Sequence, residues 1–436
     1  MRRIHTTSLS RLLGLFLLVT LGAGSAQAAR ELPAPSWASD EVQGEQLQVF
    51  YTRFGPGDDV PSWWGHAALG VQDLSTGQAR LYNYGNFAFD QQMLARYAMG
   101  RLEFWVADAS VNAYLRFYQR LNRDVDILVL NLSPEARKRM ARHLADNVLP
   151  ENRSYLYDHY RDNCSTRLRD AVDVGTGGRL RELLSAPGRM TLREHTRRYT
   201  AVNPAMSFLL DLAMNDTIDQ PLTRWDEAFL PDELERGMRE LMVEDADGRR
   251  VPLVASTQTV HAAEGRSATP EVPPNHIPWL LLLGVLYGAL PLAWAFWWQR
   301  GARAGRILLG AQTLVTGLVF GVVGLLLTLM WAFTDHVVVY RNENLSLVHP
   351  LWLATVWLGA SLMRGRNPHT ARRLLWLGGL FVGVALLWVL LKVLPGFDQN
   401  NWNVLALLLP IVVGHGAAWA RVALAPGTAP EAATAG

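Results

Sequence analysis

Residues 155–170 have the sequence YLYDHYRDNCSTRLRD and contain Cys164, the one cysteine in the 436-residue chain. Asp162 or Asn163 can cap a helix whose first turn would hold Cys164. In a first turn, backbone N–H groups and the helix dipole favour an anion, so we expect a lowered thiol pKa. The same N–H groups could hold the oxyanion of a tetrahedral intermediate.

The residues around Cys164 favour a reactive thiol. A lone cysteine is more often buried and inert, but these flanks are polar and charged, and Arg161 and Arg167 add positive charge nearby. One cysteine cannot form an internal disulfide, and no second cysteine or close histidine cluster indicates zinc. The sequence therefore predicts a cysteine nucleophile and neither a metal nor another cofactor.

A thiol nucleophile usually has an imidazole partner that is distant in the sequence. His66 is our candidate, because it begins a strand of small residues directly after Gly65. The plainer alternative is a hydrogen-bonded strand histidine without a catalytic role. His159 is a rival that lies close to Cys164 in sequence, but five residues before the thiol is an awkward position from which to face a helix N-terminus.

A third group should orient the imidazole. The turn Asp73–Gly77 joins two predicted strands into a hairpin. Folding about this turn places Asn83 or Tyr84 roughly opposite His66. We choose Asn83 as the third catalytic residue, and Asn86 is the alternative.

The region 29–261 mixes predicted strands and helices, which indicates an α+β domain. Alternating apolar and polar residues predict strands at Gln46–Phe54, Ala67–Gln72, Ala79–Tyr84, Glu103–Ala107 and Val125–Asn131. Helices are predicted at Val111–Leu121, from Pro134 after a Ser133 cap, from Cys164, at Ala205–Met214 and at Glu233–Val243. A linker, 262–275, is rich in proline and should be extended and mobile rather than packed.

Residues 276–422 predict an all-α membrane domain of about five transmembrane helices. Most of the apolar segments approach the roughly 20 residues that a bilayer requires, and the third is the shortest: Ile277–Trp298, Ile307–Phe333, Leu347–Met363, Leu374–Leu394 and Trp402–Ala420. The first and third connections are rich in arginine, whereas the other two carry three acids and one arginine. Positive loops remain in the cytoplasm, so the first helix should cross from outside to inside.

The N-terminus supports the same orientation. Residues 1–28 are typical of a signal peptide, with Arg2 and Arg3, a short apolar run and Ala26-Gln27-Ala28 as a cleavage site; an uncleaved anchor is the alternative. The chain would then lie in a bacterial inner membrane with its α+β domain in the periplasm and a disordered cytoplasmic tail, 423–436. The exported part is acidic, which argues against nucleic-acid binding.

A histidine on one strand, a polar group on the next, and Asn163-Cys164 opening a later helix resemble the order in circularly permuted NlpC-like, papain-related cysteine enzymes, including lecithin–retinol acyltransferase. The segments Gly65–Ala67, Tyr82–Phe87 and Asp162–Arg167 resemble more closely the N-terminal periplasmic domain of the Lnb family of bacterial lipoprotein N-acyltransferases. Asp335-His336 followed by Asn342–Leu345 is similar to an extracytoplasmic loop of that family.

The resemblance implies a membrane-bound cysteine acyltransferase. Cys164 would take an acyl chain from a phospholipid, and the terminal amine of a lipoprotein would attack the resulting thioester. Catalysis is assigned to Cys164, His66 and Asn83, and substrate binding to Asp162, Asn163, Arg167, Tyr84, Asp335 and His336. For the last two residues, plain solvation at the membrane surface is an equal alternative.

Two other functions remain open at this point. The same thiol and imidazole could serve a periplasmic hydrolase, such as an amidase, a peptidase or a thioesterase. The protein could also be a membrane sensor or assembly factor without enzymatic activity.

Overall fold

The computed structural model describes residues 32–39, 41–88, 90–245, 247–365 and 367–425. The signal peptide and all but the first residues of the predicted tail lie outside these ranges. The described chain contains an α+β region with a large antiparallel sheet, followed by a region of long apolar helices. This arrangement confirms the coarse architecture that the sequence predicts.

The sheet has seven antiparallel strands in the spatial order β6-β4-β3-β2-β1-β5-β9. Its strands are β1 Leu47–Phe54, β2 His66–Asp73, β3 Ala79–Asn86, β4 Glu103–Ala109, β5 Val125–Leu130, β6 Ser154–Leu156 and β9 Val254–His261, and β7 Met242–Glu244 with β8 Arg250–Pro252 forms a separate hairpin. All five predicted strands are present. The turn between β2 and β3 forms as predicted, with Gly77 at a φ of 73° that favours glycine.

The exported domain has nine α-helices within the described chain. They are α1 Met93–Ala98, α2 Val111–Arg120, α3 Pro134–Asn147, α4 Cys164–Thr176, α5 Arg179–Leu184, α6 Leu192–Tyr199, α7 Pro204–Ala213, α8 Arg224–Glu227 and α9 Pro231–Glu240. The predicted cap at Ser133 is present, because its side chain accepts a hydrogen bond from the Ala136 N–H at 3.3 Å. The short helices α1, α5, α6 and α8 were not predicted.

The two faces of the sheet bury different sets of side chains. On one face Leu69 packs with Leu144 of α3 and Leu168 of α4 in the largest apolar cluster. On the other face Phe54 and Tyr118 of α2 belong to a smaller cluster. Because neighbouring strand residues point to opposite faces, α4 and α2 approach the central strand β2 from opposite sides.

The linker 262–275 is extended, but it packs along the exported domain. Arg266 forms an ion pair with Asp58 at 2.8 Å, and Glu271 pairs with Arg189 at 3.4 Å. The backbone N–H of Ala263 also donates to the Asp124 carboxylate at 2.7 Å. The prediction of an unpacked linker is therefore wrong, because these partners are far away in sequence and only folding brings them to it.

The membrane region consists of α10 Ile277–Gln299, α11 Arg303–Phe333, α12 Leu353–Arg364, α13 Pro368–Leu391 and α14 Trp402–Ala423. Four of these, all except α12, are long and apolar enough to cross a membrane. The predicted third span is broken: the segments Val337–Ser346 and Pro350–Arg364 meet at an angle of 48°. Pro350 lies at the break, where it cannot continue a helix from the preceding turn.

Contacts at the two ends of the bundle show that the broken segment runs from one end to the other. At one end Arg306 donates to the carbonyl of Leu362, and Gln299 donates to the carbonyl of Arg421. At the other end Asn344 donates to the carbonyl of Asp211 in the exported domain. The arginine-rich connections thus gather at the end opposite the exported domain, as the predicted orientation requires.

Candidate active site

His66 opens strand β2 and forms a hydrogen-bonded chain with Asn83 and Tyr114. Its Nε2 lies 2.6 Å from Oδ1 of Asn83 on the neighbouring strand β3. The Asn83 amide in turn donates to the hydroxyl of Tyr114 on α2 at 2.9 Å. His66 also lies between aromatic rings, with the centroids of Phe54 and Tyr118 at 6.1 and 6.0 Å.

This chain of contacts sets the tautomer of the imidazole. An amide oxygen can only accept a hydrogen bond, so Nε2 of His66 must carry the proton. The lone pair is then on Nδ1, which is the nitrogen that could accept a proton from a substrate or a thiol. Burial lowers the pKa of His66 to about 4, although the hydrogen bond that its Nε2–H donates to Asn83 raises it. The ring is therefore a neutral proton acceptor at pH 7.

Gly85 explains why Asn83 can reach His66. A side chain at Gly85 would begin only 3.0 Å from Cε1 of the imidazole, so glycine leaves the space that the ring occupies. Asn86 lies farther along β3, where its amide donates to the carbonyls of Asn83 and Trp105. Tyr84 is buried in the apolar cluster of the opposite face, and burial raises its pKa.

Cys164 is the first residue of α4, as the sequence predicts. The Asn163 side chain accepts from the N–H of Thr166 at 3.0 Å, and the Thr166 hydroxyl accepts from the N–H of Asn163 at 2.8 Å. This reciprocal cap fixes the helix start. The Asn163 amide also donates to the carbonyls of His159 and Phe229, which ties the cap to two neighbouring segments.

The pKa of Cys164 is higher than the sequence predicts. Burial raises the pKa of the thiol to about 11, although backbone N–H groups of Ala67 and Ser165 and the charge of Arg123 lower it. Part of the Cys164 surface reaches solvent, but the side chain packs against the large apolar cluster. The prediction of a lowered pKa is wrong, because loss of hydration outweighs the helix terminus in these surroundings.

The contact between Cys164 and Ala67 places the thiol beside the start of β2. Ala67 directly follows His66 in the chain, but neighbouring strand residues point to opposite faces, so this contact does not by itself bring the two side chains together. The structure shows no hydrogen bond between the described side chains of Cys164 and His66. Their neutral states agree with this, since an ion pair would require a lower thiol pKa and a higher imidazole pKa.

Arg123 is a residue of this region that the sequence did not reveal. It is 5% exposed, its Nε donates to the carbonyl of Gly55, and its guanidinium lies over the Tyr118 ring at 4.8 Å. Its charge lowers the pKa of both His66 and Cys164. Arg123 follows helix α2 in a turn, and nothing in that local sequence indicates a position near the thiol.

Arg167, one of the two arginines that the sequence places beside the thiol, binds other partners. Arg167 forms a two-point ion pair with Asp162 at 2.5 and 2.6 Å, and its guanidinium lies over the Tyr155 ring at 4.5 Å. The charge that most lowers the Cys164 pKa is that of Arg123. The ion pair between Asp162 and Arg167 thus joins the segment before α4 to the helix itself.

His159 is half-buried between aromatic rings. Its Nδ1 lies 3.2 Å from the Tyr157 hydroxyl, its Nε2 has no partner within the described chain, and the ring centroid of Trp64 is at 4.7 Å. Burial lowers its pKa to about 4. His159 therefore lies close to the start of α4. It is its backbone carbonyl, and not its imidazole, that contacts the capping residue Asn163.

Asp335 and His336 attach the membrane region to the exported domain. The Asp335 carboxylate accepts from Nε of Arg101 at 2.6 Å. Nε2 of His336 lies 3.0 Å from the carbonyl of Tyr97 in α1, and the two rings stand edge to face. These contacts show a docking role for the pair, and neither residue touches the described thiol or imidazole.

The raised thiol pKa predicts slow alkylation of Cys164 at neutral pH. Because only the thiolate reacts, the iodoacetamide rate of the folded, detergent-solubilised protein should rise with pH to a midpoint near 11. The same chain unfolded in denaturant should show a midpoint near the ordinary thiol value of about 8.5. A folded-state midpoint at or below 7 would contradict the buried, neutral thiol.

Comparison with known proteins supports one family. Residues 34–199 match the family model of the Lnb N-terminal periplasmic domain, and this match spans β1 to β6, His66, Asn83 and the helix of Cys164. Neither the curated proteins nor the solved structures contain a significant match to the chain. The exported part of the chain is thus similar to the Lnb N-terminal periplasmic domain, and this match supports a relationship to the Lnb-like family; a region of helices long and apolar enough to cross a membrane follows it.

Proposed function

We propose that the protein is an inner-membrane acyltransferase in which Cys164 carries an acyl chain from a phospholipid to the N-terminal amine of a lipoprotein. The observation that carries the proposal is the position of the thiol: it begins helix α4, with the N–H groups of Ala67 and Ser165 directed at the sulfur. A tetrahedral intermediate formed at this sulfur would find N–H donors close by.

The first half-reaction begins with the Cys164 thiol and the His66 imidazole both uncharged. Nδ1 of His66 would accept the Cys164 proton as sulfur attacks the ester carbonyl, because a thiol of such high pKa is not ionised beforehand. Collapse of the intermediate breaks the carbon–oxygen bond and leaves an acyl thioester. The released glycerol oxygen takes the proton from His66 and departs with the lysophospholipid.

The second half-reaction reverses the roles. The acceptor amine attacks the thioester carbonyl, and His66 removes the amine proton while the carbon–sulfur bond breaks. The proton then returns to sulfur, so the enzyme is unchanged and an amide is formed. The His66–Asn83–Tyr114 chain supports this cycle because it holds the imidazole in one tautomer throughout.

The surroundings suit substrates that are embedded in lipid. The exported domain is attached to the outer end of the apolar bundle through Asp335, so both substrates would reach it within the plane of the membrane. The order of His66 before Cys164, on a strand and then a helix start, supports a circularly permuted NlpC-like arrangement for the domain.

Intact-protein mass spectrometry tests the acyl-enzyme. Wild-type protein incubated with phospholipid vesicles should gain the mass of one acyl chain, hydroxylamine should remove it, and Cys164→Ser should show no hydroxylamine-labile adduct. A peptide bearing a diacylated N-terminal cysteine should then clear the adduct and become triacylated. Release of free fatty acid with no triacylated peptide would indicate a hydrolase, and no adduct under any condition would refute the thioester.

A further inference from the structure

Helix α7, Pro204–Ala213, presents an apolar face that no described part of the chain covers. Val202 just before the helix is 71% exposed and Leu209 is 51% exposed, with Ala205 exposed between them. Ala205 and Leu209 are four positions apart and so share one side of the helix, and Val202 lies just before the N-cap residue Asn203. An exposed apolar stripe on a helix indicates an interaction surface.

The C-terminal end of α7 is fixed to the membrane bundle. Leu212 is buried in the same apolar cluster as the spans, together with Leu405 and Leu408 of α14. The Asn342 amide donates to the Leu212 carbonyl at 2.9 Å, and Asn403 donates to the Asp211 carboxylate at 2.7 Å. The helix is thus held at one height and one rotation relative to the bundle.

That height corresponds to the outer boundary of the bilayer. Asn403 lies in the first turn of α14, next to Trp402, whose side chain is 52% exposed. Tryptophans concentrate where the headgroups meet the acyl chains. A helix bonded to this turn therefore lies at the level of the lipid headgroups, beside the outer end of the spans.

We propose that α7 is an interfacial helix that inserts Val202, Ala205 and Leu209 into the outer leaflet of the membrane. The occupant of this face is phospholipid, because α7 packs against the outer end of α14 at the headgroup level, while the polar residues Asp211 and Ser207 are buried on the other side of the helix. Interfacial helices of this kind lie in the membrane plane with the apolar side toward the acyl chains. The inference does not depend on the chemistry of Cys164.

Site-directed spin labelling of the full chain tests the proposal, since Cys164→Ser removes the only native thiol. In that background, Leu209→Cys carries a nitroxide, and the protein is reconstituted in phosphatidylcholine–phosphatidylglycerol vesicles. Leu74→Cys, in the β2–β3 turn and 55% exposed, is the matched aqueous control. Leu286→Cys in α10, 57% exposed, is the lipid-facing control.

The readout is the collision rate of the nitroxide with oxygen, which enters lipid, and with a polar nickel chelate, which does not. We expect an oxygen-to-chelate ratio several-fold higher at Leu209 than at Leu74 and similar to that at Leu286, with Val202→Cys giving the same result. A ratio at Leu209 equal to that at Leu74 would overturn the proposal. Exclusion of both reagents would also overturn it, because a protein partner would then cover the face.

Discussion

Replacing His66 with alanine is expected to slow acylation of Cys164 by about 10²- to 10⁴-fold, the usual contribution of a general base. The reason is the protonation state of the pair. The thiol has a pKa near 11, so very little thiolate exists at pH 7 without a base to take the proton. The measurement is the rate at which the acyl adduct appears by mass spectrometry at a fixed concentration of phospholipid vesicles.

The matched control for this change is His143→Gln. His143 is a partly buried histidine of α3 that contacts Asn147, away from the thiol. Its replacement should leave the acylation rate unchanged. Raising the pH should partly restore His66→Ala, because hydroxide then supplies the thiolate, whereas a base-independent defect would not respond. A wild-type rate in His66→Ala would remove the imidazole from the mechanism.

Replacing Arg193 with methionine should lower the free energy of unfolding by about 3–5 kcal/mol, the typical cost of breaking a buried ion pair. Arg193 is 1% exposed and binds Asp219 at 2.6 and 3.0 Å and Asp211 at 3.3 Å. It also donates to the carbonyl of Asn215 at 2.7 Å. Methionine fills similar space but leaves these acceptors without their shared guanidinium.

Thermal unfolding of the detergent-solubilised full chain should show this loss as a lower midpoint. Limited proteolysis should also cut between the two regions more readily, because Asp219 and Asp211 bind Asn400 and Asn403 at the membrane side. The control is Arg249→Met, since Arg249 is exposed in a surface turn and should cause no measurable change. An unchanged midpoint for Arg193→Met would show that the network contributes little.

Local signals account for the parts of the fold that the sequence predicts. The caps at Ser133 and Asn163 depend on residues within three positions, and the turn at Asp73–Gly77 sets the pairing of its own strands. These features need no information from distant segments. The hairpin also brought Asn83 to His66, because neighbouring strands with a short turn have a restricted register.

Features that depend on residues far apart in the sequence could not be predicted from local patterns. Strand β9 is an edge strand with mostly exposed, polar residues, so no apolar alternation marks it. The raised pKa of Cys164 comes from burial by segments far away in sequence, and the packed linker depends on pairs such as Arg266 with Asp58. The catalytic pairing of Cys164 with His66 stays a prediction.

The several attachments between the exported domain and the bundle have a consequence for substrate choice. Asp335 binds Arg101 and Asn403 binds Asp211, so the exported domain is held directly against the bundle. The sulfur of Cys164 is therefore held at a fixed distance from the membrane surface. We expect this fixed distance to select substrates by how far their reactive bond extends from the membrane surface. This selection would act before any side chain contacts the substrate.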